Sequence, residues 1–195
     1  MCGSAGASGM GVVGETLRES AIINLTGAVT MIVDDSAFAA ELTSGALLGF
    51  GIKTRDSMRS AAEAIEVLQD TEIALLVVDC EMPGMDGFEL VHWLRRSGPP
   101  NAFVPVIMTA AHIRRSMVAK ARDCGANFVL TKPFSAAGLL ERIVWVARDG
   151  RPFLEVGEYF GPDRRFRETD PPGEERRSDV LRRARFEAEK AAAAE

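Results

Sequence analysis

From Ala28 to Asp149 the chain is built of short apolar and polar blocks whose period keeps changing. "VTMIVDD" is a β-branched apolar run closed by two carboxylates, which predicts a strand. "SAFAAELTSGALL" follows with helical spacing, and Ser36 is placed to be its N-cap. "FGIKTR" predicts a second strand. "SMRSAAEAIEVLQD" predicts an alanine-rich amphipathic helix with Ser57 as a candidate cap. "IALLVVD" is apolar without interruption, as expected of a central parallel strand covered on both faces. "CEMPGMDG" reads as a loop, because Pro83 and two glycines punctuate it. After it come a helix ("FELVHWLRRSG") stopping at Gly98, a strand ("FVPVIMTA"), a helix ("RRSMVAKARDCG"), a strand ("NFVLTKP") and a helix ("SAAGLLERIVWVARDG").

Five strand–helix pairs in succession specify an α/β fold with a doubly wound parallel sheet. Residues 1–27 are small and flexible in composition and read as a disordered leader. They contain "GMGVVG", which matches GxGxxG, but a dinucleotide site needs a strand before that motif and none precedes it. After Asp149, Pro, Gly, Arg and Glu dominate and the periodicity vanishes until "SDVLRRARFEAEKAAAAE", a helix by propensity. The chain therefore divides into a leader (1–27), an α/β domain (28–149) and an arginine-rich extension (150–195) that is partly disordered without a ligand.

Composition narrows the function. Hydrophobic residues make up 47% of the 195-residue chain, enough for one core, and the formal net charge of -5 speaks against indiscriminate nucleic-acid binding. The three cysteines, Cys2, Cys80 and Cys124, lie far apart, which fits a reducing cytoplasm better than a zinc site or a disulfide framework. No apolar run approaches the roughly 20 residues that span a bilayer, so a cytoplasmic protein without membrane contact is expected.

In open α/β sheets the site lies at the carboxyl ends of the strands. Those ends carry Asp34 and Asp35, then Asp79, then Thr109, then Lys132 followed by Pro133. If the strand order is the flavodoxin-like one, these side chains converge on one shallow pocket. Clustered carboxylates repel unless a cation sits among them, and hard oxygen ligands suit Mg²⁺. A lysine beside them would pair with a carboxylate and an incoming anion, and a threonine hydroxyl can donate to a phosphoryl oxygen. Together the parts fit phosphoryl transfer to an aspartate. Any one of them alone reads as a cap or a turn residue.

"IVDDS", "VVDCEMPGMDGFEL", "MTA" and "LTKPF" resemble the CheY-like receiver domain of two-component response regulators, over about Ala28 to Arg148. The resemblance implies a flavodoxin-like five-stranded parallel sheet flanked by five helices, and a signalling module that is not an enzyme. It makes Asp79 the phosphoacceptor, has Asp34, Asp35, Asp79 and the backbone carbonyl of Glu81 hold Mg²⁺, and has Thr109 and Lys132 contact the phosphoryl group. A histidine kinase or phosphotransferase is the implied phosphoryl source. One position departs from the family. The aromatic switch residue that usually stands three residues before the lysine is replaced by Val129, and Phe128 beside it points to the opposite face of the strand. His92 and His112 fall in helical stretches as solvent-facing residues without a matching nucleophile.

Between Arg164 and Arg185 there are eight arginines and no lysine. A solvated tail has no need of that choice, whereas the guanidinium fork binds phosphate or a guanine edge in bidentate fashion and stacks on π-faces. An aspartate follows an arginine by three residues twice, in "RETD" (Arg167, Asp170) and "RRSD" (Arg176, Asp179). Arginine pairs with guanine O6 and N7, and a carboxylate can accept from the opposite edge. Two such elements suit a two-fold ligand with two guanines and two phosphates, cyclic di-GMP. A receiver with this extension is similar to the Cle subfamily of CheY-like cyclic di-GMP effectors. The similarity implies a ligand site of Arg164, Arg165, Arg167, Asp170, Arg176, Arg177 and Asp179, and docking on the flagellar motor switch, with recruitment to the flagellar pole.

Overall fold

The computed structural model describes residues 29–55 and 57–164. The leader, the "GMGVVG" motif, the helix expected from Ser178 and every cyclic di-GMP candidate except Arg164 lie outside those residues.

The strands β1 (Val29–Val33), β2 (Lys53–Thr54), β3 (Leu75–Asp79), β4 (Val106–Ala110) and β5 (Phe128–Thr131) form one sheet in the order β2-β1-β3-β4-β5, and every pairing in it is parallel. This is the flavodoxin-like order, with its switch point between β1 and β3. The five helices are α1 (Ala37–Gly49), α2 (Ala61–Asp70), α3 (Gly87–Arg96), α4 (Arg115–Cys124) and α5 (Ala136–Ala147).

Successive strand residues point to opposite faces, so each strand feeds two cores. Met31, Val33, Leu76, Val78, Val106 and Met108 face α2, α3 and α4, where Leu68, Leu90, Leu94 and Ala121 meet them. Ile32, Leu75, Val77 and Ile107 face α1 and α5, against Leu47, Leu139 and Ile143. All five residues of β3 are buried, which is why its sequence is continuously apolar up to its final carboxylate.

Ser36 caps α1 as expected, accepting from the Ala39 N–H. Three local expectations change. The cap of α2 is Ser60 and not Ser57: the Ser60 hydroxyl accepts from the Glu63 N–H, the S-x-x-E spacing of a capping box. The second strand shrinks to two residues. His92 lies in α3 as expected, but His112 sits in the exposed loop before α4.

The extension is not irregular from its start. Strands β6 (Phe153–Val156) and β7 (Tyr159–Pro162) form an antiparallel hairpin turned at Gly157, whose φ of 61° suits a two-residue hairpin loop. Phe153 and Phe160 pack on Phe103 with ring centroids 5.4 and 5.5 Å away. The hairpin also lies against Gly125, the left-handed C-cap of α4, where a Cβ would stand 2.7 Å from the Phe160 carbonyl oxygen. Beneath it is Arg95, buried on α3. Its guanidinium donates to the carbonyls of Gly125, Ala102 and Val104 and to Asn127 Oδ1, and lies 5.1 Å from the Phe153 ring centroid. Burial lowers its pKa to about 10.

Candidate functional site

The chain direction of the sheet brings the strand ends together. Asp79 closes β3 and pairs in register with Thr109 on β4, while Asp34 follows β1 and Lys132 follows β5. Lys132 Nζ donates to Asp34 Oδ2 at 2.6 Å and to Asp79 Oδ1 at 2.5 Å. Residues 98 and 53 positions apart in sequence thus meet through one ammonium group. Thr109 Oγ1 lies 3.4 Å from Asp79 Oδ1. The second oxygen of each carboxylate accepts a backbone N–H, that of Ser36 for Asp34 (3.0 Å) and that of Glu81 for Asp79 (2.9 Å).

The electrostatics follow from burial. The Asp34 and Asp79 side chains are 5% and 10% exposed and Lys132 is 22% exposed, so two carboxylates and one ammonium share a pocket largely shielded from water. Partial burial pulls the Lys132 pKa downward. The hydrogen bonds and charges of Asp34 and Asp79 outweigh that pull and hold it above the ordinary lysine value. Cys80 adjoins Asp79, but burial, then the Asp79 charge, pushes its thiol up to about 12, so it offers no thiolate to compete as a nucleophile near neutral pH.

Two close packings fix the Asp79 loop. Asp86 and Glu89 form a capping box at the start of α3, each side chain accepting the other's backbone N–H. Gly87 lies flat on the phosphoacceptor candidate's own backbone: a Cβ there would fall 2.0 Å from the Asp79 carbonyl oxygen.

The structure therefore brings together Asp34, Asp79, Thr109 and Lys132. Asp35 stands beside them but is exposed, and Glu81 is exposed in the loop above. Among the described residues no group of three or more His, Cys, Asp or Glu side chains forms a metal cluster. Two buried carboxylates and a nearby loop carbonyl are nonetheless oxygen donors of the kind a hard divalent cation takes, together with waters. The donor set fits Mg²⁺ in kind, with Asp35 at its rim. Val129 packs toward the α2–α4 core and Phe128 toward the α1–α5 core, so the aromatic is on the other face of β5. Phe128 instead meets Trp145 edge-on at 5.7 Å, with Arg142 over its ring.

The sequence reading missed Arg95 and the hairpin. Helical spacing puts Arg95 one turn beyond Val91 on the buried face of α3, but nothing local in the sequence names the acceptors of its guanidinium. The hairpin's turn was legible in "FLEVGEYF", where β-forming residues stand on both sides of Gly-Glu. Of the arginine segment, Arg164 is described: it pairs with Asp123 of α4 at 3.1 Å and stacks 3.7 Å above the Tyr159 ring centroid.

Residues 30–144 match the family model described as the response regulator receiver domain. The chemotaxis protein CheY-3 of Vibrio cholerae serotype O1 is 28% identical over 113 residues, covering 58% of this chain and 86% of that protein. Chemotaxis protein CheY of Pseudomonas aeruginosa is 29% identical over the same length, covering 58% and 90%. Among solved structures, V. cholerae CheY4 superimposes with a TM-score of 0.58 at 27% identity, over 61% of this chain and 98% of that one. The receiver domain of a Syntrophus aciditrophicus signal transduction histidine kinase does so with a TM-score of 0.56 at 30% identity, over 61% and 89%. The family match ends before the hairpin begins.

Proposed function

Because the chain belongs to the response regulator receiver domain family, we propose that it is a signalling adaptor in which a phosphorylatable receiver carries a cyclic di-GMP-binding extension. In the receiver, an Asp79 carboxylate oxygen attacks the phosphorus of a phosphohistidine or small phosphodonor. The new P–O bond makes an acyl phosphate, and the donor's bond to phosphorus breaks with its electron pair. Lys132 leaves its bridge to meet the phosphoryl oxygens, and Thr109 donates to one of them. Asp34, Asp35, Asp79 and the Glu81 carbonyl would hold Mg²⁺, which would supply charge to offset that of the transferred group. The convergence of Asp34 and Asp79 on Lys132 supports this half of the reading.

One observation carries the ligand half: an arginine-only segment with two RxxD elements, on a chain of net charge -5. Arg164, Arg165, Arg167, Asp170, Arg176, Arg177 and Asp179 hold the two guanines and two phosphates. The liganded protein then docks on a target, the flagellar motor switch, at the cytoplasmic face of the flagellar pole. Val129 in place of the aromatic switch is consistent with control having moved to the extension.

The test is calorimetry of the full chain with cyclic di-GMP, beside a version ending after Arg164 that keeps the hairpin. Saturable binding at micromolar ligand, lost in the shortened chain and weakened by Arg167→Ala with Asp170→Ala, is expected. Absence of saturable heat in the full chain overturns the ligand half. The intact Asp34, Asp79, Thr109 and Lys132 cluster favours a second reading, an ordinary phosphorelay receiver with an inert tail. It predicts labelling of Asp79 by acetyl phosphate and partner binding unchanged by the same shortening.

A further inference from the structure

At the amino edge of the sheet, opposite the Asp34–Asp79–Lys132 pocket, the described residues enclose a hollow of about 60 Å³. It is lined by Thr30 of β1, Ile52 before β2, Leu75 of β3, Pro105 before β4, and Ile143 and Val146 of α5. The wall is almost wholly apolar. Its one polar side chain, Thr30, is fully buried, and its hydroxyl has no hydrogen-bond partner among the described residues. A buried hydroxyl left unpaired marks a wall that something else completes.

Size and chemistry limit what can fill the hollow. Small-molecule sites run to about 300–1,000 Å³, several times larger. An ordered water needs about two to four polar partners, and the side chains of this wall offer a single hydroxyl. The end of an aliphatic side chain suits both the volume and the lining.

The charge pattern of the chain supplies that side chain. Glu19 is the last charged residue before Asp34, so residues 20–33 are uncharged. Residues 29–33 of that stretch are β1. The rest, "SAIINLTGA", holds Ile22, Ile23 and Leu25, three large aliphatics in four residues, whereas the five residues before it, "ETLRE", carry three charges. Such a run gains free energy by leaving water wherever an apolar wall is within reach. Here the wall is adjacent, because β1 begins at Val29, one residue before Thr30, and the chain therefore enters the domain beside the hollow. The links from Leu25 and from Ile22 to Val29 span up to about 14 and 25 Å when extended, so reach is no obstacle. We propose that the Ile22–Leu25 segment docks on the amino edge of the sheet and seats an aliphatic side chain in the hollow between β1, β3 and α5. Asn24 and the neighbouring backbone bring hydrogen-bonding groups of the kind Thr30 Oγ1 lacks.

Docking assigns residues 21–28 to the receiver and not to the leader. It also braces the carboxyl end of α5, since Val146 lies four residues before the extension begins at Gly150. Leader and extension then both depart from one edge of the sheet, the edge away from Asp79.

Methyl-labelled full chain reads the contact directly. Nuclear Overhauser cross-peaks between the methyls of Ile22, Ile23 or Leu25 and those of Ile52, Leu75, Ile143 or Val146 are expected. Ile22→Ser, Ile23→Ser and Leu25→Ser together should raise the unfolding equilibrium constant in urea at least about tenfold, because burial of an aliphatic side chain is lost. Val12→Ser with Val13→Ser, farther out in the leader, should leave it unchanged. The proposal is overturned if the cross-peaks are absent, if the triple variant unfolds at the parent's midpoint, or if the Val12 and Val13 changes cost as much. Cross-peaks that arise only between labelled and unlabelled copies in a mixed sample overturn it too, since the hollow would then hold the segment of a second copy.

Discussion

Replacing Gly87 by alanine sets two physical effects against each other, and the structure decides between them. Gly87 is the first residue of α3 and has no positive φ, so propensity alone predicts a gain of about 0.5–1 kcal/mol. The added Cβ, however, would stand 2.0 Å from the Asp79 carbonyl oxygen and 3.1 Å from Cys80 Cα. Ordinary heavy-atom contact is about 3.5 Å, so the overlap is roughly 1.5 Å. Both neighbours are backbone and cannot rotate aside. The Gly87 N–H also donates to the Cys80 carbonyl at 3.1 Å, which ties the two segments together. Forced overpacking costs about 1–3 kcal/mol and exceeds the propensity gain, for a net loss of about 1–2 kcal/mol. The same displacement moves Asp79 relative to Lys132 Nζ, now 2.5 Å away. A misplacement near 1 Å at a reacting group can cost on the order of a hundredfold in rate. Urea unfolding should show a lower midpoint at unchanged slope, and mass spectrometry with acetyl phosphate and Mg²⁺ should show Asp79 labelling slowed at least about tenfold. An alanine variant as stable as the parent and labelled at the parent's rate would refute the close packing of this loop on Asp79.

Lys132→Met leaves two buried carboxylates facing each other, so stability should fall by about 1–3 kcal/mol, discounted because the lysine is partly exposed. Asp79 labelling should fall by more than about tenfold, both read as above. Arg95→Met strips the donor from three buried carbonyls and should cost about 3 kcal/mol or more in urea unfolding, with Arg95→Lys in between because an ammonium cannot span the fork's acceptors. Alkaline pH should destabilise the fold. Burial raises the Cys80 and Cys124 thiols from 9.0 to about 12 and about 11, so the stability tied to their protonated forms is full below pH 9 and is lost as pH rises toward those values. Cys80→Ala with Cys124→Ala should flatten the urea midpoint over that range. Ending the chain at Asp149 removes Phe153 and Phe160 from Phe103 and Arg95 and should cost at least about 3 kcal/mol by the same measurement, whereas ending it after Arg164 should cost little.

What the sequence showed plainly is what strong periodicity and chain direction determine. β3 reads as a central strand because both its faces are covered, and a parallel sheet then carries Asp34, Asp79, Thr109 and Lys132 to one edge. The two serines of "SMRS" illustrate the limit of composition. Both are good caps, and only the distance to Glu63 selects Ser60. Arg95 shows a different limit. Arginine on a helix reads as surface, and the three carbonyls that solvate its guanidinium come from the α4 C-cap and from the segment before β4, contacts with no local signature. The hairpin shows a related limit: its turn is legible around Gly157, but four-residue strands are stable only through the aromatic cluster around Phe103, which their own pattern does not show.

The hairpin changes how the extension relates to the receiver. A flexible tail leaving α5 would communicate with the Asp34–Asp79–Lys132 pocket only through its effective concentration. Here the chain first runs along the α4 C-cap, where Gly125 and Gly161 approach so closely that a Cβ at Gly161 would stand 2.8 Å from Gly125 Cα. It then delivers Arg164 onto Tyr159 and Asp123. The arginine segment thus starts from a fixed point on α4. In the proposed function, ligand capture by Arg164 and its neighbours would have to exchange the Asp123 contact for phosphate. The exchange is small in energy, since the pair is solvent-exposed. It is nevertheless local to α4, so any coupling between the extension and the receiver has α4 as its first element.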